Sequence, residues 1–253
     1  MTTEPEYLDT PAGRRIAYRR VPGAGPGVVF LGGFRSDMEG TKAQHLDAWA
    51  RATGRAFLRF DYSGHGRSSG AVEDGCLGDW AGDAAEAIGR LTEGPQILVG
   101  SSMGGWIALL LARDRPARVG GIVGVAAAPD FTEALIRPGL SDDAHARLMA
   151  EGRLERPSAY SDAPEVLTRR LFEDGRAQRV LDRPLTLEMP VRLLQGTADT
   201  DVPVPHALSL LDHAEGPDIR LTLVKGADHR FSTPACLSAI EAAIGEVTAG
   251  AAI

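Results

Sequence analysis

The chain has 253 residues, of which 43% are hydrophobic and 24% charged, and its formal net charge is −7. These values are ordinary for a globular protein and exclude disordered and fibrous classes. A nucleic-acid partner would require a basic face, and the lysines and arginines here are dispersed, so we expect no nucleic-acid binding. No Pro-, Gly- or Ser-rich linker divides the chain, which predicts one α/β domain.

The cysteines and the N-terminal segment bear on the compartment. Cys76 and Cys236 are the two cysteines and lie far apart without a C-x-x-C pattern, so neither a zinc site nor a disulfide framework is predicted. Residues 1–10 lack the apolar segment of a signal peptide and the Arg-rich pattern of a transit peptide. No apolar run reaches the roughly 18 residues of a membrane span. We therefore expect a cytoplasmic protein without stable membrane insertion.

Strands and helices alternate in the first half of the chain. Two short strands are predicted around residues 7–8 and 16–18, followed by a buried strand over 28–31. The elements predicted next are a helix over 42–52, a strand over 56–60, a helix over 79–91, a strand over 96–99 with a helix after it, and a strand over 122–125. This alternation is typical of a parallel sheet with helices on both faces.

The alternation breaks between Pro129 and Pro190. Polar stretches such as 142–151 and 163–172 resemble helices and follow one another without a buried strand. We predict that residues 129–189 form an inserted helical cap, while 1–128 and 190–253 form the core. Elements of the core resume with strands over 191–194 and 219–223 and helices over 205–213 and 234–247.

Residues 100–104, Gly-Ser-Ser-Met-Gly, are the most informative motif of the chain. They follow the strand over 96–99 and precede an apolar, helix-like run. A G-x-S-x-G sequence between a strand and a helix predicts a sharp turn that presents Ser102 at a helix N-terminus, as a nucleophile of acyl transfer requires.

A serine nucleophile needs a histidine as base and a carboxylate to orient it. His229 is the predicted base because it follows the last strand on a loop, whereas the other histidines lie in helix-like segments or, for His65, in a glycine-rich loop. Asp199 is the predicted acid since it follows the strand over 191–194. Asp201 and Asp130 also follow strands and remain alternatives, although Asp201 could instead cap the next helix or turn.

An oxyanion hole requires two backbone donors. The N–H of Met103, directly after the nucleophile, is the first candidate. The second candidate is the N–H of Phe34 in the loop after the strand over 28–31, where Gly32 and Gly33 would let the backbone approach a substrate closely.

A second glycine-rich stretch, residues 60–70, weakly resembles a dinucleotide-binding fingerprint. Its third glycine comes one position late, and no helix follows directly, so nucleotide binding is not expected. Metal-binding and P-loop patterns are also missing from the sequence, and we expect neither a metal nor another cofactor.

Taken together, these motifs resemble the α/β-hydrolase superfamily over nearly the whole chain. The matching segments are Gly-Gly-Phe at 32–34, Asp-Tyr-Ser-Gly-His-Gly-Arg-Ser at 61–68, the turn at Ser102, the loop over 196–203 and Asp228-His229. The stretches 33–43, 59–64, 94–102 and 228–230 are further similar to a subfamily of mitochondrial palmitoyl-protein thioesterases and acyl-glucuronide esterases.

The resemblance implies an α/β-hydrolase fold, with a mostly parallel eight-stranded sheet, and a serine hydrolase of acyl esters or thioesters without a cofactor. Two positions depart from the pattern of many hydrolases, since Gly32 and Gln195 stand where a histidine is often found. The expected partner is a small-molecule or acylated substrate, and the oligomeric state is left open.

The insertion is expected to select the acyl group, because a cap covers the serine in this arrangement. Its candidate contact residues are Leu135, Ile136, Leu148, Met149 and Tyr160. Packing within the cap is the more common role for side chains of this kind. A serine at the turn argues against dehalogenases and epoxide hydrolases, whose nucleophile is aspartate. Carbon–carbon bond hydrolases, haloperoxidase-like enzymes and non-catalytic receptors of this fold remain alternatives.

Overall fold

The strands follow the alternation expected from the sequence. The computed structural model describes residues 4–157 and 164–250. Within these ranges the strands are β1 (Glu6–Asp9), β2 (Arg15–Val21), β3 (Ala24–Leu31), β4 (Arg55–Phe60), β5 (Gln96–Ser101), β6 (Val119–Val125), β7 (Arg153–Arg156), β8 (Glu165–Thr168), β9 (Leu185–Thr186), β10 (Val191–Gly196), β11 (Ala214–Glu215) and β12 (Ile219–Val224).

Helices connect most of these strands. In the described ranges the α-helices are α1 (Thr41–Thr53), α2 (Leu77–Leu91), α3 (Met103–Asp114), α4 (Asp142–Glu151), α5 (Arg169–Ala177), α6 (Val204–His213) and α7 (Pro234–Gly250). None of them is long and apolar enough to cross a bilayer.

The central sheet has eight strands in the order β1-β2-β4-β3-β5-β6-β10-β12. Strand β2 pairs antiparallel with both of its neighbours, and the pairs from β4 to β12 are parallel. The predicted mainly parallel eight-stranded sheet is therefore confirmed. Because parallel strands end at one edge, the loops after β3, β4, β5, β6, β10 and β12 gather there.

Two apolar layers cover the sheet. On one face, Trp80 of α2, Trp106 of α3 and Leu210 of α6 belong to one buried cluster. On the other face, Leu46 of α1 and Ile240 of α7 belong to a second cluster. Strands β3, β5 and β6 carry apolar side chains on both faces, as expected for strands buried between helices.

The segment between β6 and β10 is a mixed insertion rather than the purely helical one predicted. Helix α4 is present, but β7 and β8 form an antiparallel pair, and helix α5 begins only at Arg169. The predicted helix over 163–172 is therefore wrong for residues 165–168. These residues, Glu-Val-Leu-Thr, include two β-branched side chains, Val166 and Thr168, which favour a strand. Thr168 then caps α5, because its Oγ1 accepts from the N–H of Leu171 at 3.2 Å.

The insertion is anchored to the N-terminal end of α2. The carboxylate of Asp174 in α5 accepts from the N–H of Gly78 at 2.7 Å. Arg170 donates to the carboxylate of Asp79 at 2.7 Å and to the carbonyl of Asp74. A carboxylate at a helix N-terminus satisfies a free N–H and interacts favourably with the helix dipole. The insertion is therefore held to the core by polar contacts as well as by buried side chains such as Leu171 and Phe172, which belong to the apolar cluster of α2 and α3.

Candidate active site

Backbone strain is concentrated at the edge where the parallel strands end. In the described part of the chain, the residues other than glycine with positive φ are Arg35 (59°), Ser102 (53°), Ala126 (47°), Asp130 (55°) and Phe231 (48°). All of them lie in loops that follow β3, β5, β6 or β12. Such conformations cost about 1–3 kcal/mol each and cluster at functional sites. The distribution of strain thus marks the same edge that the sequence predicted.

Ser102 lies at the apex of a sharp turn between β5 and α3. Its φ of 53° and ψ of −116° fall outside the regions that non-glycine residues prefer. Its N–H donates to the carbonyl of Val125 at 2.9 Å, and its own carbonyl accepts from Ala128 at 3.1 Å. The side chain makes no capping hydrogen bond to α3, although serine is a common cap residue. The hydroxyl of this half-exposed residue is therefore not used in starting the helix.

The glycines on either side of the serine are required by close backbone packing. A Cβ on Gly100 would overlap the backbone of Gly104, and a Cβ on Gly104 would overlap the carbonyl of Leu31 at the end of β3. Because these obstacles are backbone atoms, no rotation of a side chain could relieve them. The G-x-S-x-G spacing thus reflects the steric demands of this turn.

Asp199 and His229 are hydrogen-bonded. The Nδ1 atom of His229 lies 2.9 Å from Oδ2 of Asp199. The side chain of Asp199 is fully buried, whereas that of His229 keeps 21% exposure. Because the carboxylate can only accept, Nδ1 carries the proton, and Nε2 is left with a free lone pair when the ring is neutral.

Backbone and amide donors hold the Asp199 carboxylate in place. Its Oδ1 accepts from the N–H groups of Asp201 and Val202, both at 2.9 Å, and its Oδ2 also accepts from Gln195 Nε2 at 3.1 Å. Burial alone would raise the pKa of Asp199, but the hydrogen bonds from His229, Val202 and Gln195 outweigh it, and the pKa lies below its ordinary value. The carboxylate is therefore ionised and fixed beside the histidine.

The two alternative acids have other contacts. Asp201 provides the backbone N–H just described, and the next helix begins after Pro203 without a side-chain cap, so Asp201 does not cap that helix. The carboxylate of Asp130 accepts from the N–H groups of Val180 and Leu181 at 2.9 and 3.0 Å. Asp130 therefore joins the beginning of the insertion to its end.

The other histidines have different partners. His45 lies 2.5 Å from a carboxylate oxygen of Glu241, and His213 contacts the carbonyls of Val180 and Arg183. The ring of His145 packs against Phe172, and His206 is buried with a lowered pKa, mainly because of desolvation. Among the histidines in the described ranges, His229 is the one hydrogen-bonded to an aspartate.

The loop after β3 lies directly beside the serine. A Cβ on Gly33 would lie 3.5 Å from the Cβ of Ser102. The carbonyl of Gly33 accepts from the N–H of Ser36 at 3.2 Å and from its hydroxyl at 2.7 Å, which closes a turn with Phe34 and Arg35 at its centre. Met103, the other candidate donor, is the first residue of α3, and the leading N–H groups of a helix have no acceptor within it.

The glycine-rich loop after β4 serves the protein's own packing. The carboxylate of Asp61 accepts from the N–H groups of Met38 and Arg67 at 2.6 and 2.8 Å. A Cβ on Gly66 would overlap this carboxylate, and a Cβ on Gly64 would overlap the backbone of Ala71. Gly64 and Gly66 are thus explained by close packing within and next to this loop.

The candidate substrate residues of the insertion differ in exposure. Ile136 and Leu148 are buried in the same apolar cluster as α2 and α3, at 8% and 0% exposure. Leu135 and Met149 keep partly exposed side chains. Tyr160 lies outside the described residues. Leu135 and Met149 therefore remain the more accessible candidates.

The site also contains the one group of metal-ligating side chains identified in the described ranges. Asp199, Asp201 and His229 offer atoms within 4.8 Å of one another. Both oxygens of Asp199 and Nδ1 of His229 are already engaged in the hydrogen bonds described above. The arrangement is accounted for by these hydrogen bonds and does not require a metal.

Two residues that the sequence did not predict as site residues contribute to this edge. Gln195 donates to Asp199 and, at 2.8 Å, to the carbonyl of Val202. His65 accepts from the N–H of Arg35 at 3.1 Å. The available signal for His65 was topological, because β4 neighbours β3 in the sheet and their loops must meet. For Gln195, the available signal was its position directly before the loop that carries Asp199.

Comparisons with known proteins identify the family and the fold of the chain. A model of the "Alpha/beta hydrolase family" matches residues 28–249. A solved structure described as a putative hydrolase from Agrobacterium vitis S4 is 43% identical, with a TM-score of 0.90, covering 96% of this chain and 98% of that one. Alpha/beta hydrolase domain-containing protein 10 from mouse is 31% identical, with a TM-score of 0.89, covering 98% of this chain and 99% of that one.

A curated relative carries a more specific name. The chain is 35% identical to the mitochondrial palmitoyl-protein thioesterase ABHD10 of Bos taurus, over 92% of this chain and 76% of that protein. The predicted resemblance to this subfamily is thereby confirmed. The predicted cytoplasmic location is contradicted, because relatives from cattle, rat and human are named as mitochondrial proteins.

Proposed function

Because the chain belongs to the alpha/beta hydrolase family, we propose that it is a serine hydrolase that cleaves acyl esters or thioesters through Ser102, His229 and Asp199. The observation that carries the proposal is the 2.9 Å hydrogen bond between His229 Nδ1 and Asp199 Oδ2, at the sheet edge where the strained Ser102 lies. The ionised carboxylate keeps the proton on Nδ1 and so leaves Nε2 free to act as a base.

In the first half of the reaction, the hydroxyl oxygen of Ser102 attacks the acyl carbonyl carbon while Nε2 of His229 takes the hydroxyl proton. The tetrahedral intermediate then collapses, and His229 gives this proton to the departing alcohol or thiol. In the second half, water attacks the acyl-enzyme, His229 takes a proton from that water, and the carboxylic acid leaves as Ser102 regains its proton.

The N–H groups of Phe34 and Met103 are our candidates for holding the oxyanion. The proximity of Gly33 to Ser102 supports this role for the loop after β3. Since the carbonyl of Gly33 is turned toward Ser36, the Phe34 N–H of the same trans peptide points the other way. The helix dipole of α3 adds a favourable field at Met103.

The acyl group is proposed to lie between the core and the insertion. Phe34 packs against Phe131 at the start of the insertion, with ring centroids 5.9 Å apart, and Phe131 in turn packs against Trp106 at 5.5 Å. The partly exposed Leu135 packs against the same apolar cluster. Apolar side chains of this kind suit a fatty acyl chain, and the name of the palmitoyl-protein thioesterase relative supports the same substrate class.

The test is the rate constant kcat/KM for matched esters and thioesters whose acyl chains run from acetyl to palmitoyl. A Ser102-dependent rate that peaks at long acyl thioesters supports a depalmitoylase-like enzyme, and a peak at short esters supports a general carboxylesterase. Ser102→Ala is the control for uncatalysed and contaminating hydrolysis. Absence of Ser102-dependent hydrolysis at every chain length would contradict the proposal.

A further inference from the structure

His65 is a buried histidine whose two ring nitrogens both have backbone partners. It is 2% exposed, its Nδ1 lies 3.1 Å from the carbonyl of Ser63, and its Nε2 lies 3.1 Å from the N–H of Arg35. A carbonyl can only accept and a backbone N–H can only donate. A single form of the ring satisfies both contacts, namely the neutral ring with its proton on Nδ1.

The partner of Nε2 is the peptide between Phe34 and Arg35. Arg35 occupies the third position of the turn over 33–36 with a φ of 59°, a place that usually takes glycine. Residues in such conformations persist when surrounding structure holds them there. The hydrogen bond to His65 supplies this support from outside the turn.

We infer that His65 is a positioning residue that fixes the turn over 33–36, so that the N–H of Phe34 points at the site of the oxyanion. The inference rests on the proposed function for the role of that N–H. It assigns to the Gly-His-Gly loop after β4 a task in the reaction, although no atom of His65 is placed against the substrate.

Aromatic contacts fix the orientation of the His65 ring. Trp80 and Tyr62 meet it edge to face, with centroids 5.2 and 5.7 Å away, and Phe34 lies 6.4 Å away. The indole N–H of Trp80 donates to the same Ser63 carbonyl, at 3.1 Å. Phe34 also packs against Trp80 at 5.7 Å. The group that holds the histidine thus also holds the side chain of the proposed oxyanion residue.

The charged groups around His65 come from three elements. Arg35 lies on the turn, Asp83 on α2, and Glu73 on the short 3₁₀ turn over 72–74; Tyr62, whose hydroxyl stays neutral at physiological pH, completes the surroundings. Burial is the largest influence and lowers the pKa of His65, assisted by Arg35 and opposed by the Ser63 carbonyl, Asp83 and Glu73. Burial therefore favours the neutral ring that the Arg35 contact requires.

Two measurements test the inference. Nitrogen-15 NMR of the imidazole ring near neutral pH is expected to show His65 neutral, with its proton on Nδ1. This result does not depend on any substrate. A proton on Nε2 would overturn the inference whatever the activity of the enzyme.

The kinetic test compares two substitutions that each keep one half of the ring's hydrogen bonding. His65→Asn keeps a donor near Ser63 but cannot reach Arg35, whereas His65→Gln places an amide oxygen near the position of Nε2. We expect kcat to fall about 10²-fold in His65→Asn, as for a misplaced catalytic group, with KM changed less than about twofold. His65→Gln should recover about tenfold or more of this loss.

Equal kcat values for the two variants, or a loss confined to KM, would overturn the inference. A wild-type protein without Ser102-dependent hydrolysis would instead contradict the proposed function, and the NMR result would still decide the tautomer of His65. Thermal unfolding of both variants controls for a general loss of structure, and the NMR measurement stands if His65→Asn fails to fold.

Discussion

The sharp turn at Ser102 between β5 and α3, here called the elbow, and the insertion between β6 and β10 are held in place by different kinds of contact. At the elbow, the backbone itself leaves no room, because a Cβ on Gly104 would overlap the end of β3. The insertion is fastened to α2 and α3 by side chains instead, through polar contacts such as Asp174 with Gly78 and through apolar residues such as Phe172 in the shared buried cluster. Steric contacts between backbones tolerate no adjustment, whereas packed side chains can repack in part and exposed ion pairs such as Arg170 with Asp79 can shift at little cost. The turn that carries Ser102 is therefore fixed more tightly than the insertion, which is proposed to select the acyl group.

The largest expected effect is that of removing the nucleophile. Ser102→Ala should lower kcat by about 10⁶, because the remaining groups cannot form an acyl-enzyme. Leu135→Ala in the insertion should instead change the preferred chain length with a much smaller loss of kcat. Steady-state kinetics on a short and a long acyl thioester measure both. Turnover near the wild-type value in Ser102→Ala would contradict the assignment of the nucleophile.

Substitutions of two buried aspartates, Asp199 in the proposed triad and Asp130 at the start of the insertion, give the next comparison of the regions. Asp199→Asn should lower kcat by about 10⁴, since an amide no longer fixes the required tautomer of His229. Asp130→Asn, at the base of the insertion, is the matched control and should retain most of kcat. If both substitutions lower kcat equally after correction for the folded fraction, Asp199 has no special role in the reaction.

Glycine-to-alanine substitutions compare how tightly the backbone is packed at the elbow and in the insertion. Gly104→Ala should destabilise the protein by about 4 kcal/mol or more, because the backbone of Leu31 blocks the new methyl group. Gly139→Ala in the insertion meets no atom within 4 Å and should change stability by less than about 0.5 kcal/mol. Urea unfolding followed by tryptophan fluorescence measures both changes. A soluble Gly104→Ala protein of wild-type stability would show that the elbow can relax.

A smaller effect is expected where the insertion meets α2. Asp174→Asn removes the charge that accepts from Gly78 at the start of that helix and should cost about 1 kcal/mol. If this contact positions the insertion over the site, KM for a long acyl chain should rise by up to about fivefold. The kcat for an acetyl substrate should stay close to wild type. An equal change for both substrates would mean that the contact does not act through the acyl chain.

Acid affects the two aspartates in opposite directions. The pKa of Asp199 is lowered despite its burial, so its contribution to stability is present above its unfolded value of about 3.9 and is lost as pH falls through the folded pKa. The pKa of Asp130 is raised, chiefly by burial, so its ionised form costs stability at neutral pH, and this cost is relieved as pH falls toward about 3.9.

The destabilisation caused by Asp130→Asn should therefore grow between neutral pH and about pH 4, because the wild-type protein is the one that gains. The destabilisation caused by Asp199→Asn should begin to shrink only below about pH 4. Urea unfolding of both variants and the wild type across this range gives the differences. The same pH trend for both would contradict the environments described above.

The features that the sequence predicted are those with local physical causes. Periodic apolar runs predicted the sheet, and the glycines around Ser102 predicted the sharp turn because its geometry excludes a Cβ. The strand β8 was missed, since a stretch of four residues is short for a periodicity argument and pairs with β7 only in three dimensions. The contact between His65 and Arg35 joins residues 30 positions apart and could be found only once β4 was placed beside β3.

The central claim is that the acyl group passes through Ser102. Rapid quenching of the wild-type enzyme with an acyl thioester, followed by mass spectrometry of the intact protein and its peptides, tests it directly. The account predicts a transient gain of one acyl group on the peptide that contains Ser102, and none in Ser102→Ala. Rapid turnover without any acylated protein, or acylation of a different residue on the path of turnover, would contradict it.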